Sequence, residues 1–199
     1  MGLFSLPPTS QGRDNDDELR RLVEKKVLKP VDELLSSNAV SIMIACSECS
    51  QLQHAVMRKW AQQPHGVRHV LTRYGVAHRL RRYAHDPDGD KELGHLFDSL
   101  PDACGRGIRT VYLFGHWPCA YLADFKIGLQ DHLQEFAKAK DALSSKLSTE
   151  YPKLDIVTGF HAHHVKPSPF DAIYSYDRHA HGNLIQKDQS AERLGLAAG

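Results

Sequence analysis

Cysteine and histidine side chains occur directly after two short apolar runs of this chain. Cys46 follows the run 41–45, and His116 and Cys119 follow the run 110–114. Two thiolates and an imidazole are common zinc ligands, and three protein ligands leave the fourth tetrahedral position for a water molecule. The residue types therefore indicate a catalytic zinc site, provided that the two segments meet in the fold.

Both apolar runs have the composition of buried strands. Residues 41–45 read Ser-Ile-Met-Ile-Ala, residues 110–114 read Thr-Val-Tyr-Leu-Phe, and a segment with helical spacing follows each of them. In an open parallel sheet, sites form at the carboxyl ends of the strands. Two neighbouring strands that end near Cys46 and His116 would therefore bring all three ligands to one point.

The order of strand and helix patterns predicts an α/β fold with a mostly parallel central sheet of four to five strands flanked by helices. The predicted strands are 40–45, 67–76, 109–114, 154–159 and 172–176, and the predicted helices are 16–35, 51–62, 91–103 and 120–147. Pro30 is expected to kink or split the first helix. We expect one zinc-binding domain, 1–199, with a helical arm at about 1–37 and a C-terminal tail at about 179–199.

Composition and charge limit the partners of the chain. The 199 residues are 41% hydrophobic, which suffices for a core that needs neither a disulfide nor a metal to hold it together. A net charge of +1 gives no general attraction to nucleic acid or to anionic membranes. No apolar stretch reaches the roughly 20 residues that span a bilayer. We therefore expect a cytoplasmic protein with no nucleic-acid or membrane partner, whose four cysteines stay reduced.

The order of these motifs resembles that of the β-class carbonic anhydrases over about residues 15–178. The family carries Cys-x-Asp-x-Arg after one strand and Gly-His-x-x-Cys-Gly after another. In the corresponding places this chain carries Cys-Ser-Glu-Cys-Ser and Gly-His-Trp-Pro-Cys-Ala. The resemblance implies that Cys46, His116 and Cys119 bind zinc. It also implies that Glu48, in the place of the Asp, is the catalytic carboxylate.

The chain departs from the family pattern around these ligands. Ser50 occupies the place of the Arg that pairs with the Asp, Ala120 replaces the Gly after the last ligand, and the Gly-Asn segment between the motifs is missing. Glu48 is one methylene longer than Asp, so it either reaches the zinc and closes the fourth position or is held away by another cation. The candidates for that cation are Arg68, Arg73, Arg79, Arg81 and Arg82.

The resemblance implies a zinc lyase whose small-molecule substrates are CO2 and bicarbonate, with hydration by zinc-bound hydroxide. It also implies a homodimer or higher homo-oligomer, in which the amphipathic segment 16–35 clasps a partner. Two alternatives stay open. One is hydrolysis of carbonyl sulfide or carbon disulfide on the same fold and ligands. The other is a catalytically inactive zinc-binding relative with a structural or interaction role.

Two further groups of histidines follow predicted strands, at 154–159 and at 172–176. The first group is His161, His163 and His164, and the second is His179 and His181. They are interpreted as a second metal site, a proton relay or exposed loop residues. Cys49 is interpreted as a core residue or a further thiolate ligand, and Cys104 has no predicted role. The basic stretch 68–82 is interpreted as a solvated or interface-forming face.

Overall fold

The computed structural model describes residues 10–30, 41–48, 68–72, 74–76, 78–80, 93, 100, 102, 105, 107–148, 151–162 and 172–193. The elements bounded within these ranges are six strands and four helices. The strands are β1 (Leu28–Pro30), β2 (Ser41–Ala45), β3 (Arg68–Thr72), β4 (Thr110–Trp117), β5 (Asp155–Ala162) and β6 (Ala172–Tyr176). The helices are α1 (Ser10–Glu24), α2 (Ala120–Asp124), α3 (Leu129–Ser148) and α4 (Arg178–Arg193). No helix in the described ranges combines the length and apolarity needed to cross a membrane.

The strands form one mixed sheet in the order β1-β6-β5-β4-β2-β3. β3, β2, β4 and β5 are parallel, β6 is antiparallel to β5, and β1 is antiparallel to β6. The predicted α/β class with a mostly parallel sheet is confirmed. The sheet has six strands instead of the predicted four to five, because residues 28–30 form β1 where the first helix, kinked or split at Pro30, was expected.

The first helix ends earlier than its hydrophobic spacing predicts. α1 stops before Lys26, whose backbone is left-handed with φ 59°. The Lys26 N–H donates to Val23 O (3.0 Å) and the Val27 N–H donates to Leu22 O (2.9 Å), which is the Schellman pattern of a helix end. Val27 and Leu28 are nevertheless buried. These two apolar residues are therefore buried by a turn and an edge strand and not by a continued helix.

The long helix predicted at 120–147 is divided in the same way. Lys126 has φ 55°, its N–H donates to Ala123 O (3.0 Å), and the Ile127 N–H donates to Leu122 O (3.0 Å). This turn ends α2, and α3 begins at Leu129. The apolar face predicted for this segment is buried along α3, at Leu129, Leu133, Phe136, Leu143 and Leu147.

Both faces of the parallel strands are covered. Every residue of β2 and β4 is buried, as expected for parallel strands with protein on both sides of the sheet. The main core lies on the face that packs against α1 and α3. A smaller apolar cluster lies on the opposite face, and its buried members are Met43, Ala45, Tyr112 and Phe114. This packing fixes β2 and β4 side by side.

Residues 178–193, predicted as part of a tail, form α4. Asp177 caps this helix, because its Oδ1 accepts hydrogen bonds from the backbone N–H groups of His179 (3.1 Å) and Ala180 (3.0 Å). Its Oδ2 also lies 2.8 Å from Lys29 Nζ. Leu184 of α4 is buried in the main core. The segment after β6 is therefore docked on the sheet domain.

Candidate metal centre

The three predicted ligands meet at the carboxyl ends of two adjacent parallel strands. In the register of β2 and β4, Ala45 lies opposite Phe114. Cys46 follows directly after β2, whereas β4 continues for three residues and carries His116 within the strand. Cys119 precedes α2 at its N-cap position, with an extended backbone. The main difference from the expected arrangement is that His116 belongs to the strand and does not follow it.

The donor atoms are spaced as around a single ion. Ligand atoms of Cys46, Glu48, His116 and Cys119 all lie within 4.8 Å of one another. Four donors placed 2.0–2.3 Å from one zinc ion in a tetrahedron lie about 3.3–3.8 Å apart. The Glu48 Oε2 atom is 3.2 Å from Cys119 Sγ, 3.7 Å from His116 Nε2 and 4.0 Å from Cys46 Sγ. This group of two thiols, an imidazole and a carboxylate is compatible with a zinc site.

Glu48 is held by a backbone amide. Its Oε2 accepts a hydrogen bond from the Ala120 N–H at 3.0 Å, at the beginning of α2. Among the described residues, its other contacts are the three cysteine and histidine side chains, and no guanidinium is included. Of the five arginines proposed as replacement cations, the side chain of Arg79 is described, whereas Arg73, Arg81, Arg82 and the Arg68 side chain lie outside the described part of the chain. An amide thus anchors the carboxylate.

Gly75 is a contact of the site that sequence reasoning missed. Its backbone N–H donates to Cys46 Sγ at 3.3 Å in a buried position. Gly75 has φ +63°, and a Cβ at this position would overlap the ring of Tyr121. Only glycine fits this conformation and this close approach without strain. A glycine three residues after the end of β3 was the available signal, because turns that bring backbone N–H groups to a ligand favour glycine.

The two thiols of the site differ in acidity. Hydrogen bonds from Cys119 and then from His116 outweigh the effect of burial and lower the pKa of the Cys46 thiol to about 4. The hydrogen bond to Cys46 and burial raise the pKa of the Cys119 thiol above its usual range. Because the two thiols are coupled, the loss of one proton from the pair makes the loss of the second one harder. A dication that binds here displaces the remaining proton.

His132 of α3 supports the end of β4. Its Nε2 lies 3.1 Å from His116 O, and the ring lies between Trp117 (centroid distance 6.2 Å) and Phe160 (5.6 Å). Burial, with the charge of His116 as the next cause, lowers the pKa of His132 to about 3. The ring is therefore neutral at ordinary pH, and its Nε2–H donates to the carbonyl. The sequence signal was its place beside Leu133 on the apolar face of α3.

Two of the predicted histidines lie toward opposite ends of the sheet strands. His161 is buried in β5 directly opposite His116 in the register, whereas His163 and His164 lie outside the described residues. β6 is antiparallel to β5, so residues after β6 lie at the amino ends of the parallel strands. There His181 Nδ1 contacts Tyr176 OH at 2.8 Å, and His179 is exposed. His161 and His181 therefore do not belong to one site.

The remaining predicted thiols are not described. Cys49, interpreted above as a core residue or a further ligand, and Cys104 lie outside the described ranges. Within those ranges, Cys46 and Cys119 form no disulfide, and both are buried.

No protein-family model matches this chain, and no curated protein matches it. The function must therefore be argued from the geometry of the site.

Proposed function

We propose that the chain is a zinc-dependent lyase that interconverts CO2 and bicarbonate, with Cys46, His116 and Cys119 as ligands. The observation that carries the proposal is the convergence of these side chains, with Glu48 beside them, at the ends of two adjacent parallel strands. The same order of ligands along the chain underlies the resemblance to β-class carbonic anhydrases. The strands β3, β2, β4 and β5 are neighbours and parallel, and sites of this kind form at the carboxyl ends of such strands.

Zinc bound by three protein ligands supplies a nucleophile at neutral pH, because it lowers the pKa of a water in the fourth position to about 7. Cys46 and Cys119 bind it as thiolates, and the Gly75 N–H stabilises the charge on Cys46 Sγ. His116 offers Nε2, the nitrogen that faces Glu48. The ligand atoms are withdrawn from bulk solvent, since all three residues are at most 5% exposed.

Glu48 takes the proton that hydration of CO2 releases. Its Oε2 borders the three ligand atoms, and the Ala120 amide keeps it there. The side chain is 27% exposed, whereas that of His116 is 5% exposed, so Glu48 connects the buried site with solvent. A positioned general base of this kind contributes about 10²- to 10⁴-fold to a rate.

One observation favours an inactive zinc protein as the second candidate. The three distances from Glu48 Oε2, 3.2, 3.7 and 4.0 Å, are close to the edges of a tetrahedron around zinc. If Oε2 is itself the fourth ligand, no position remains for water. The chain would then be a structural or interaction module with a closed site.

Stopped-flow measurement of CO2 hydration by zinc-quantified protein tests the proposal. Cys46→Ser removes one ligand, and Cys104→Ser is the matched control at a thiol with no predicted role. We expect activity in the parent protein and in Cys104→Ser. Cys46→Ser should lose both the activity and the bound zinc. Bound zinc without activity in the parent protein would favour the closed site. Parallel assays with carbonyl sulfide and carbon disulfide test the alternative that the chain hydrolyses these sulfur compounds instead of hydrating CO2.

The homodimer implied by the resemblance remains a prediction. Leu19 and Leu22 of α1 are buried in the core of their own chain, so the partner would have to contact other residues of the N-terminal segment. Sedimentation at micromolar concentration distinguishes a monomer from a homodimer. A monomer mass under these conditions would remove the dimer from the proposal.

A further inference from the structure

Within the described part of the chain, Glu48 is the most exposed residue of the candidate metal centre. Cys46, His116 and Cys119 are 3%, 4% and 5% exposed, while the Glu48 side chain is 27% exposed. Tyr74 is 38% exposed and precedes Gly75, whose N–H contacts Cys46 Sγ at 3.3 Å. The exposed tyrosine is thus one residue away from a direct contact of the site.

The Tyr74 ring is held in place by an aromatic cluster, which we define as Tyr74, His78, Tyr121 and Phe125. Tyr74 stands edge-to-face on Tyr121, with ring centroids 5.2 Å apart and an angle of 84°. Tyr121 in turn contacts Phe125 (5.0 Å) and His78 (5.7 Å). Tyr121 lies two residues after Cys119 on α2, so the cluster connects the turn after β3 with the segment that carries a ligand.

The backbone of Tyr74 is restrained as well. Gly75 has φ +63°, and its Cα faces the Tyr121 ring so closely that no Cβ would fit. The turn that carries Tyr74 therefore lies between Cys46 Sγ on one side and Tyr121 on the other. A large movement of the Tyr74 ring would disturb both contacts.

The electrostatic surroundings of the Tyr74 hydroxyl agree with a place near the centre. Partial desolvation, followed by the negative charges of Glu48 and Asp124 and of the two cysteines, raises the pKa of Tyr74. The phenol is therefore a neutral group that borders an acidic site.

We propose that Tyr74 is a specificity-determining residue, whose ring forms the wall of the entrance beside Glu48 and admits small linear molecules while excluding larger ones. The inference rests on the proposed zinc site and concerns the size of the ligand that reaches it. The aromatic ring, and not the hydroxyl, does this work. Tyr74→Phe therefore still excludes larger molecules, and Tyr74→Ala does not.

Titration of the cobalt-substituted protein separates this inference from the proposed function. Cobalt(II) bound by thiolates absorbs visible light, and the spectrum changes when a further ligand binds. Azide is the small linear probe and benzenesulfonamide the large one. Phe125→Ala is the matched control, because Phe125 belongs to the same aromatic cluster and is 53% exposed.

We expect Tyr74→Ala to bind benzenesulfonamide about tenfold more tightly than the parent, with azide affinity unchanged, since removal of one ring opens space for another. Tyr74→Phe and Phe125→Ala should behave as the parent. Unchanged sulfonamide affinity in Tyr74→Ala, or an equal gain in Phe125→Ala, would overturn the inference. A parent protein that gives no thiolate–cobalt spectrum would instead refute the metal site itself.

Discussion

Glu48 combines two features that decide what it can do: a fixed position and a route to solvent. The Ala120 amide donates to Oε2 at 3.0 Å, so among the described residues a backbone amide holds the carboxylate in place. An amide carries no full charge, however, and neutralises a carboxylate less than a guanidinium does. The proposed role of Glu48 as a proton acceptor rests on its position beside the candidate ligands.

Glu48→Gln is expected to retain one zinc per chain and to lower CO2 hydration by about 10²-fold or more. Glutamine preserves the length of the side chain and an oxygen that accepts the Ala120 hydrogen bond, but it cannot take a proton at ordinary pH. Zinc content is measured by atomic absorption and the rate by stopped flow. Loss of zinc from Glu48→Gln would show that Glu48 is a ligand and would contradict its role as a base.

The convergence of the candidate ligands could be predicted from the sequence because their chemistry is carried by side chains. Cys46, His116 and Cys119 have the residue types of a zinc site, and each stands at the end of an apolar run. The contacts of Gly75 and Ala120 could not be predicted in this way. Both use a backbone N–H, which every residue except proline has, so only the folded chain shows which amides face the site.

At the scale of the elements, strands were easier to predict than helix ends. The buried strands β2 and β4 contain continuous apolar runs, whereas α1 and α2 are followed by turns in which Lys26 and Lys126 have a left-handed conformation. This conformation at a helix end usually selects glycine or asparagine, and lysine gives no signal for it. The predicted helices therefore continued through turns that the apolar spacing alone does not reveal.

The turn after β3 yields a prediction about packing. Gly75→Ala should lower the free energy of unfolding by about 2 kcal/mol or more, because it adds left-handed strain and a clash with the Tyr121 ring. It should also weaken zinc binding, since the Gly75 N–H contacts Cys46 Sγ. Chemical denaturation and a competitive zinc titration measure the two effects.

Gly107→Ala and Gly128→Ala are the matched controls for Gly75→Ala. Gly107 has φ +97°, and a methyl group added there would have no atom within 4 Å, so its replacement adds strain without a clash. Gly128 has neither feature. A loss of stability in Gly75→Ala no larger than that in Gly107→Ala would contradict the proposed contact with Tyr121.

The start of α4 yields a prediction about pH. Hydrogen bonds from the Ala180 amide, and then from Lys29, hold the pKa of Asp177 below its usual range. A carboxyl group with a lowered pKa stabilises the fold above its unfolded pKa, and this contribution is lost as the pH falls through the folded value. Asp177→Ala should therefore cost about 1 kcal/mol at pH 7 and less in acid.

Urea denaturation at pH 7 and at pH 3 measures this effect, with Asp177→Asn as the matched control. Asparagine is also a good N-cap but does not titrate, so its contribution should be the same at both values. If Asp177→Ala lowers the free energy of unfolding by the same amount at pH 7 and at pH 3, the charge of Asp177 does not contribute to the cap.

At the scale of the whole molecule, the candidate metal centre lies at the carboxyl ends of β2 and β4, and most of the core lies elsewhere. The main core also contains Cys46 and Cys119, but its other members come chiefly from α1, α3 and the strands. The ligands contribute little apolar surface compared with the leucines, isoleucines and phenylalanines of this core. The fold should consequently form without zinc, and zinc should add local stability at the ends of β2 and β4.

Removal of zinc is therefore expected to leave the far-UV circular dichroism spectrum unchanged and to lower the Tm. A ligand present at 100 times its Kd stabilises the native state by about 2.7 kcal/mol. For a chain of this length, that amount corresponds to about 5–10 °C in Tm. Cys46→Ser should show the lower Tm with or without added zinc, because it lacks a ligand. Loss of secondary structure on chelation would instead mean that the metal holds the fold together, which would favour a structural role of the site over a catalytic one.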